Sequence, residues 1–132
     1  MKLLIDAGNS RVKWALWDGA ELSPVTALAH ADIAQLVSDW QGLQVESVFA
    51  ANVARADIRA AIEAAAPQTV QWQVAQREAA GVHNHYRLLA EQGPDRWLAV
   101  LGARQLVTGD VVIASAGTAL TVEALTAEGD YL

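Results

Sequence analysis

The stretch LLIDAGNSRVK, which occupies residues 3–13, decides the fold of this chain. It opens with an apolar run of three residues that predicts a buried strand, and Asp6 follows at the end of this run. A turn without bulky side chains comes next, and from Val12 to Trp17 the residues alternate with the period of two that is typical of a second strand. The stretch therefore predicts a tight hairpin that carries an acid, a glycine, an amide and a hydroxyl between two strands.

The residues of this hairpin suit a phosphate site. Gly8 can adopt a positive φ and lets another group approach the backbone, and backbone N–H groups in such a turn can surround phosphate oxygens. Asp6 could hold Mg²⁺ directly or through water, because hard cations take oxygen ligands, and Lys13 could add a positive charge. A plain hairpin turn explains the same residues, because Asn and Gly are common in hairpin turns. The turn alone leaves both interpretations open.

Composition limits the classes of function. The 132 residues are 53% hydrophobic, which is enough for a real core. A net charge of -6 argues against a general nucleic-acid or anionic-membrane surface, so an anionic ligand must be held by local amides, a few cations and a metal. Because the chain has no cysteine, disulfides and thiolate zinc sites are excluded. We see no signal-peptide pattern or membrane span, and we expect a cytoplasmic location.

Strands and helices alternate after the hairpin. The pattern predicts a third strand, an amphipathic helix with Asp32 as its N-cap, a buried strand, an alanine-rich helix and a further strand, over residues 25–28, 33–40, 45–51, 56–66 and 69–74. The first three strands are expected to be antiparallel, and the later ones parallel with crossover helices between them. The predicted class is α/β with a mixed sheet and flanking helices.

The second half begins with residues 78–93, which we predict to be an irregular functional loop. A helix is expected from Pro94 to about Val107, followed by strands over 111–114 and 119–125 with a small-residue turn between them. This strand-turn-strand repeats the pattern of the first hairpin, which suggests a duplicated fold. We expect an N-terminal domain over residues 1–108 and, over 109–132, the opening hairpin of a second domain in a longer protein.

Several polar residues have both a structural and a functional interpretation. Asp95 near a helix N-terminus could be a capping carboxylate or a base beside a substrate hydroxyl. Arg96 could form a surface salt bridge or bind a substrate carboxylate with two hydrogen bonds. Tyr86 is most often a half-buried aromatic with a satisfied hydroxyl. We interpret His83 and His85 as non-metal residues, because no third ligand stands at a convincing spacing.

Three segments taken together resemble the type III pantothenate kinases. They are DAGNS at residues 6–10, GPDR at 93–96 and SAGTA at 115–119, and the NHY at 84–86 is similar to the family's Asn-x-Tyr. In that family the first turn binds ATP phosphates, the second motif holds the substrate and the catalytic aspartate, and the third opens the second domain. The resemblance covers the whole chain. It implies an actin-like, ribonuclease-H-like fold of two duplicated domains with ATP between them, usually as a homodimer with the substrate site at the subunit interface.

The resemblance implies ATP-dependent phosphorylation of pantothenate to 4′-phosphopantothenate, the first step of coenzyme A biosynthesis. Residues matching the ATP-binding positions are Asp6, Ala7, Gly8, Asn9, Ser10, Arg11, Val12, Lys13 and Thr118. Residues matching the substrate-binding positions are Tyr86, Gly93, Pro94, Asp95 and Arg96. Asp95 would also be the catalytic residue that accepts the hydroxyl proton. Mg²⁺ would accompany ATP, with Asp6 as its metal-binding residue.

Two features depart from the family pattern. The chain is about half the family's length, so we expect it to be inactive alone. Ser115 stands where the family commonly has an aspartate that resembles a ligand for a monovalent cation, so we expect little dependence on K⁺ or NH₄⁺. The expected partners are ATP, pantothenate and a second subunit, without nucleic acid or membrane. The alternatives are a regulatory or transcriptional accessory protein with the same fold, and another actin-like small-molecule kinase.

Overall fold

The computed structural model describes residues 1–51, 55–116 and 120–132. The chain forms two compact units, Met1–Gln73 and Val74–Leu132. Each unit contains one five-stranded sheet, and each has its own hydrophobic core. The α/β class and the mixed sheet predicted from the sequence are confirmed.

The sheet of the first unit is built around the predicted hairpin. Its strands are β1 (Lys2–Ala7), β2 (Arg11–Trp17), β3 (Thr26–Ala29), β4 (Ser47–Ala51) and β5 (Val70–Trp72), in the order β3-β2-β1-β4-β5. The first three strands are antiparallel, whereas β4 is parallel to β1 and to β5. Since β1 is the central strand and is hydrogen-bonded on both sides, the turn that follows it starts from a fixed position.

The helices of this unit are short. A 3₁₀ helix over His30–Gln35 runs into α1 (Leu36–Asp39), and α2 covers Ala56–Ala65. The prediction of one amphipathic helix capped by Asp32 is wrong, because Asp32 lies inside the 3₁₀ segment and makes no capping bond. Two hydrogen bonds tie His30 to the hairpin turn, so the helical segment begins there instead of after Asp32.

The apolar spacing in that segment nevertheless serves the core. Leu36 and Trp40 are buried, whereas Val37 is exposed. Leu36 and Trp40 pack with Leu3 from β1 and Ile62 from α2 in the core of the first unit. The core of the first unit therefore contains residues from both strands and helices, in agreement with the predicted α/β class with flanking helices.

The second unit has a helix and a second mixed sheet. The strands β6 (Glu78–Ala79), β7 (Val82–Asn84), β8 (Val111–Ala116), β9 (Leu120–Leu125) and β10 (Asp130–Tyr131) lie in the order β6-β7-β10-β9-β8. Only the β7–β10 pair is parallel among the described pairings of this sheet. The helix α3 covers Pro94–Leu106, close to the prediction, and a 3₁₀ turn covers Leu89–Glu91.

Part of the predicted loop over residues 78–93 is regular structure, so this prediction is corrected. The strands β6 and β7 form a hairpin whose two turn residues, Ala80 and Gly81, both have positive φ. Two consecutive positive φ values match the twist of tight hairpins. The strands are two and three residues long, which is too short for an alternating pattern to stand out in the sequence.

The second unit also contains residues on both sides of the predicted domain boundary at 108 and 109. The helix α3 and the hairpin of β8 and β9 belong to the same compact unit, and the Trp97 and Leu125 side chains share its core. The assignment of residues 109–132 to a second duplicated domain stays a prediction. None of the described helices is long and apolar enough to cross a membrane.

Candidate functional site

Backbone hydrogen bonds shape the turn between β1 and β2, which we call the hairpin turn (Gly8, Asn9, Ser10 and Arg11). The Gly8 N–H donates to the Arg11 carbonyl oxygen at 2.9 Å. The His30 ring bonds to the Gly8 carbonyl through Nε2 at 2.9 Å, and the His30 N–H donates to the Ser10 carbonyl at 3.2 Å. A Cβ on Gly8 would lie 3.2 Å from the Arg11 carbonyl oxygen, so the turn is packed closely around the glycine.

The side chains around the hairpin turn divide into two groups. Asp6 and Lys13 are opposite each other in the β1–β2 register, and both are exposed. They border an open depression of about 290 Å³ whose other walls are mostly apolar. Ala7 and Val12 are buried in the core. Any contact of these two residues with a nucleotide would therefore be through their backbone.

A magnesium ion fits the hairpin turn only as a companion of phosphate. Asp6 offers one exposed carboxylate at the edge of the turn, and the described residues hold no group of three or more acidic, histidine or cysteine side chains that could bind a metal. Mg²⁺ usually keeps several waters and is bound by one or two carboxylates together with substrate phosphates. The single Asp6 carboxylate would thus suit Mg²⁺ only together with a bound phosphate.

The N-terminus of α3 carries the second predicted motif. Gly93 is the extended residue before the helix, and Pro94 is at its first position. A Cβ on Gly93 would lie 2.6 Å from the Asp95 Oδ1 atom, so the Asp95 carboxylate occupies the space that any other residue at 93 would fill. Asp95 is exposed, and its carboxylate accepts no hydrogen bond from any of the described residues. The carboxylate is therefore accessible to a ligand at the end of the helix.

Arg96 is bound to a residue that the sequence analysis missed. Its Nε and Nη2 groups donate to the two carboxylate oxygens of Glu123, at 2.5 and 3.1 Å. Glu123 is only 5% exposed, on the inner face of β9. The Tyr86 ring centre lies 5.6 Å from the Arg96 Cζ atom, within the range of a cation–π contact. Arg96 thus has one edge of its guanidinium fixed, and its Nη1 group has no hydrogen-bond partner among the described residues.

A chain of buried hydrogen bonds continues from Glu123. The Tyr131 hydroxyl donates to Glu123 Oε2 at 2.6 Å, and the Gln92 amide donates to the Tyr131 hydroxyl oxygen at 2.7 Å. The Asn84 amide in turn donates to Gln92 Oε1 at 2.7 Å. We call Arg96, Glu123, Tyr131, Gln92 and Asn84 the Arg96 cluster. Each buried polar group named here has its partner, as buried polar groups require.

The charges in the Arg96 cluster stabilise one another. Burial by itself would raise the pKa of Glu123, but the hydrogen bonds from Arg96 and Tyr131 outweigh it, so this pKa lies below its usual value. The hydrogen bond to Glu123 raises the pKa of Arg96. Burial, with the Glu123 carboxylate, raises the pKa of Tyr131 to about 12. At neutral pH the Arg96 cluster is therefore a guanidinium, a carboxylate and a neutral phenol.

The Asn84 residue of the NHY segment links the Arg96 cluster to Tyr86. Its Oδ1 accepts the Tyr86 N–H at 2.9 Å, and its amide also donates to the Gln76 carbonyl at 3.0 Å. Arg77 donates to the carbonyl oxygens of Asn84 and Tyr86. The backbone that carries the Tyr86 ring is thereby fixed by side-chain hydrogen bonds.

The predicted site residues fall on both units. The second unit brings Tyr86, Gly93, Asp95 and Arg96 together around the N-terminus of α3, and the first unit carries the hairpin turn. Thr118 lies outside the described residues. A signal for Glu123 was present in the sequence, because the alternation of β9 places an acid on the same face as the buried Leu125. A buried carboxylate needs a partner.

The chain has two mixed sheets and belongs to the α/β class of proteins. Its candidate sites for anionic ligands are the hairpin turn around Gly8 and Arg96, which is paired with Glu123. The model of the family described as "Type III pantothenate kinase" matches residues 2–132, and the chain belongs to that family. This confirms the resemblance found in the sequence.

Relatives described as type III pantothenate kinase support the assignment. The relative from Chromobacterium violaceum is 54% identical over 132 residues, which is 100% of this chain and 56% of the relative. The one from Aromatoleum aromaticum is 44% identical over 137 residues, covering 99% of this chain and 56% of its own length. A solved structure described as the Aquifex aeolicus PPX-GPPA enzyme superposes on 96% of this chain and 48% of its own, with a TM-score of 0.46 and 14% identity. The chain spans about half the length of the curated relatives it matches.

Proposed function

We propose that this chain supplies the ATP-phosphate site and the pantothenate site of an enzyme that phosphorylates the primary hydroxyl of pantothenate, the first step of coenzyme A biosynthesis. One observation carries the proposal most strongly. The first turn of α3 carries an accessible Asp95 carboxylate and, one residue later, Arg96, whose guanidinium is fixed along one edge. A base and a carboxylate-binding group are what a hydroxy acid substrate needs from a kinase.

The hairpin turn is the proposed phosphate site. The Gly8 N–H is already bonded to the Arg11 carbonyl oxygen, so the phosphate contacts would come from the other backbone N–H groups of the turn. The exposed side chains of Arg11 and Lys13 add positive charge, and Asp6 would bind the Mg²⁺ that accompanies ATP. Thr118 is proposed as a further contact with ATP because of its motif.

Tyr86 and Arg96 are the proposed substrate-binding side chains, with Gly93 and Pro94 shaping the start of the helix. Arg96 would bind the pantothenate carboxylate through its Nη1 edge, since Glu123 occupies the other edge. Asp95 would accept the proton of the hydroxyl. A carboxylate is a sufficient base here, because phosphoryl transfer depends mainly on positioning and charge neutralisation.

We further propose that the working enzyme is a cytoplasmic homodimer and that it depends little on K⁺ or NH₄⁺. The cation proposal follows from Ser115, which lies exposed at the end of β8 where the family pattern has a carboxylate. A neutral hydroxyl is a weaker ligand for a monovalent cation than an anionic oxygen. Titration of activity with KCl at constant ionic strength tests this; a steep K⁺ requirement would contradict it.

The proposed activity can be tested with a hybrid kinase, in which this chain replaces the matching 56% of the Chromobacterium violaceum relative. We expect the hybrid kinase to convert ATP and pantothenate to ADP and 4′-phosphopantothenate, detected by mass spectrometry, and the 132-residue chain to be inactive. The unaltered relative is the positive control. A folded hybrid kinase that leaves pantothenate unchanged, while the relative phosphorylates it, would contradict the proposal and favour a regulatory role.

A further inference from the structure

We propose that Glu123 is a positioning residue for substrate recognition, which holds the Arg96 guanidinium so that its Nη1 edge faces the carboxylate of the substrate. This inference rests on the proposed function, in which Arg96 binds that carboxylate. It assigns a role to a residue outside the three motifs, 27 positions away from Arg96 in the sequence.

The geometry of the pair supports this role. A guanidinium can form paired hydrogen bonds along two of its edges. Glu123 occupies the edge formed by Nε and Nη2. A free arginine side chain loses considerable rotamer entropy when it is ordered by a ligand. Because Glu123 already orders Arg96, little further rotamer entropy is lost when the substrate carboxylate binds. The substrate therefore binds more tightly.

The Arg96 cluster also couples the two proposed substrate-binding side chains. Hydrogen bonds run from Glu123 through Tyr131 and Gln92 to Asn84, and Asn84 accepts the N–H of Tyr86. The Tyr86 ring lies in turn against the Arg96 guanidinium. These contacts therefore form a closed path that fixes Arg96 and Tyr86 relative to each other within the second unit.

The chain offers a matched control for Glu123. Glu63 also accepts a hydrogen bond from an arginine Nε, that of Arg59 at 3.0 Å, and one from an aromatic side chain, the Trp72 indole at 2.8 Å. This pair is exposed and lies in the first unit. None of Glu63, Arg59 and Trp72 is a proposed site residue. The two glutamates therefore have similar partners but different burial and different proposed roles.

The test compares Glu123→Gln and Glu63→Gln in the hybrid kinase. The substrates are pantothenate and pantothenol, which has a neutral hydroxymethyl group in place of the carboxylate. In Glu123→Gln the new amide N–H₂ would face one of the Arg96 donors, so the fixed edge is lost. We expect the KM for pantothenate to rise about tenfold or more, as is typical for charged hydrogen bonds, while kcat and the KM for pantothenol stay within about twofold. Glu63→Gln should change none of these quantities.

Additional variants separate positioning from folding. Glu123→Asp retains the charge and should restore part of the loss. Tyr131→Phe keeps the stacking on Trp97, whose ring lies 6.3 Å away, and removes one hydrogen bond to Glu123. It should raise the pantothenate KM by about two- to fivefold. This variant keeps the proposal testable if Glu123→Gln does not fold.

The outcomes distinguish this inference from the proposed function. If Arg96→Met abolishes the preference for pantothenate over pantothenol and Glu123→Gln and Tyr131→Phe leave it unchanged, the positioning role is wrong and the substrate role of Arg96 stands. If Arg96→Met also leaves the preference unchanged, the carboxylate assignment itself is wrong. Equal increases in KM for both substrates would show that Glu123 is merely structural.

Discussion

The hairpin turn and the Arg96 cluster hold their polar groups in opposite ways. The hairpin turn is fixed by main-chain groups, with the Gly8 and Ser10 carbonyls bonded to His30, and its own side chains are exposed. The Arg96 cluster is fixed by side chains, and Glu123, Gln92 and Asn84 are buried. The first arrangement suits a ligand that contacts backbone groups, such as a phosphate, whereas the second suits a ligand with one defined planar group.

This difference has a consequence for mutation. A site that is shaped by the backbone keeps its shape when its exposed side chains are changed, because the hydrogen bonds that shape it remain. A network of buried side chains does not, since each lost partner leaves another polar group unsatisfied. We therefore expect the larger effects of mutation in the second unit, a smaller effect at the hairpin turn, and the smallest at an exposed pair that lacks the burial of Glu123.

The largest effect is expected at the accessible carboxylate beside the Arg96 cluster. Asp95→Asn in the hybrid kinase should lower kcat by about 100-fold or more, as expected for the loss of a general base, with little change in the unfolding temperature. The structural reason is that the Asp95 carboxylate has no hydrogen-bond donor among the described residues, so its replacement breaks nothing there. A variant that loses stability but retains kcat would identify Asp95 as a helix cap instead.

A smaller but still large effect is expected on the stability of the 132-residue chain when Glu123 is changed to Gln. Removing one partner of a buried ion pair costs about 3–5 kcal/mol. Because Arg96 is 32% exposed and can reach water, we expect about 2 kcal/mol here. Urea unfolding at neutral pH measures this difference.

The pH dependence of that difference has a defined sign. The pKa of Glu123 is lowered in the folded chain from the usual 4.5, so the ionised group contributes stability above about pH 4.5, and this contribution is lost as the pH falls through the folded pKa. The wild type and Glu123→Gln should therefore approach each other in stability at acid pH. A difference in the free energy of unfolding that is constant from neutral to acid pH would show that the charge of Glu123 does not stabilise the fold.

The same contrast explains why the sequence predicted the hairpin turn but not the Arg96 cluster. The hairpin turn was predicted because its residues are consecutive and their pattern is local, and the predicted third strand, alanine-rich helix and α3 are local patterns too. The Arg96 cluster was missed because its hydrogen bonds join residues 8 to 39 positions apart. The Asp32 cap was wrong for a related reason: His30, which is anchored to a turn 22 residues earlier, sets the start of that helical segment.

A smaller effect is expected at the anchor of the hairpin turn. His30→Ala removes the ring hydrogen bond to the Gly8 carbonyl and keeps the backbone bond to Ser10. We expect a loss of about 1 kcal/mol in the stability of the chain, the usual net value of one hydrogen bond. Amide hydrogen exchange should become faster at Gly8 and remain unchanged in α3. Equal acceleration in both places would show that His30 supports the fold as a whole.

The smallest effect is expected for Glu63→Gln. Like Glu123, Glu63 accepts hydrogen bonds from an arginine and an aromatic side chain, but it is exposed. The Trp72 and Arg59 hydrogen bonds lower the pKa of Glu63, yet the carboxylate and both of its partners can be hydrated when the pair is broken. Water then replaces the lost hydrogen bonds, and exposed ion pairs contribute little for this reason. We expect no measurable shift in the thermal unfolding midpoint of the 132-residue chain, with or without added salt. A loss comparable to that of Glu123→Gln would show that the number of hydrogen bonds, and not their burial, sets the difference between the two pairs.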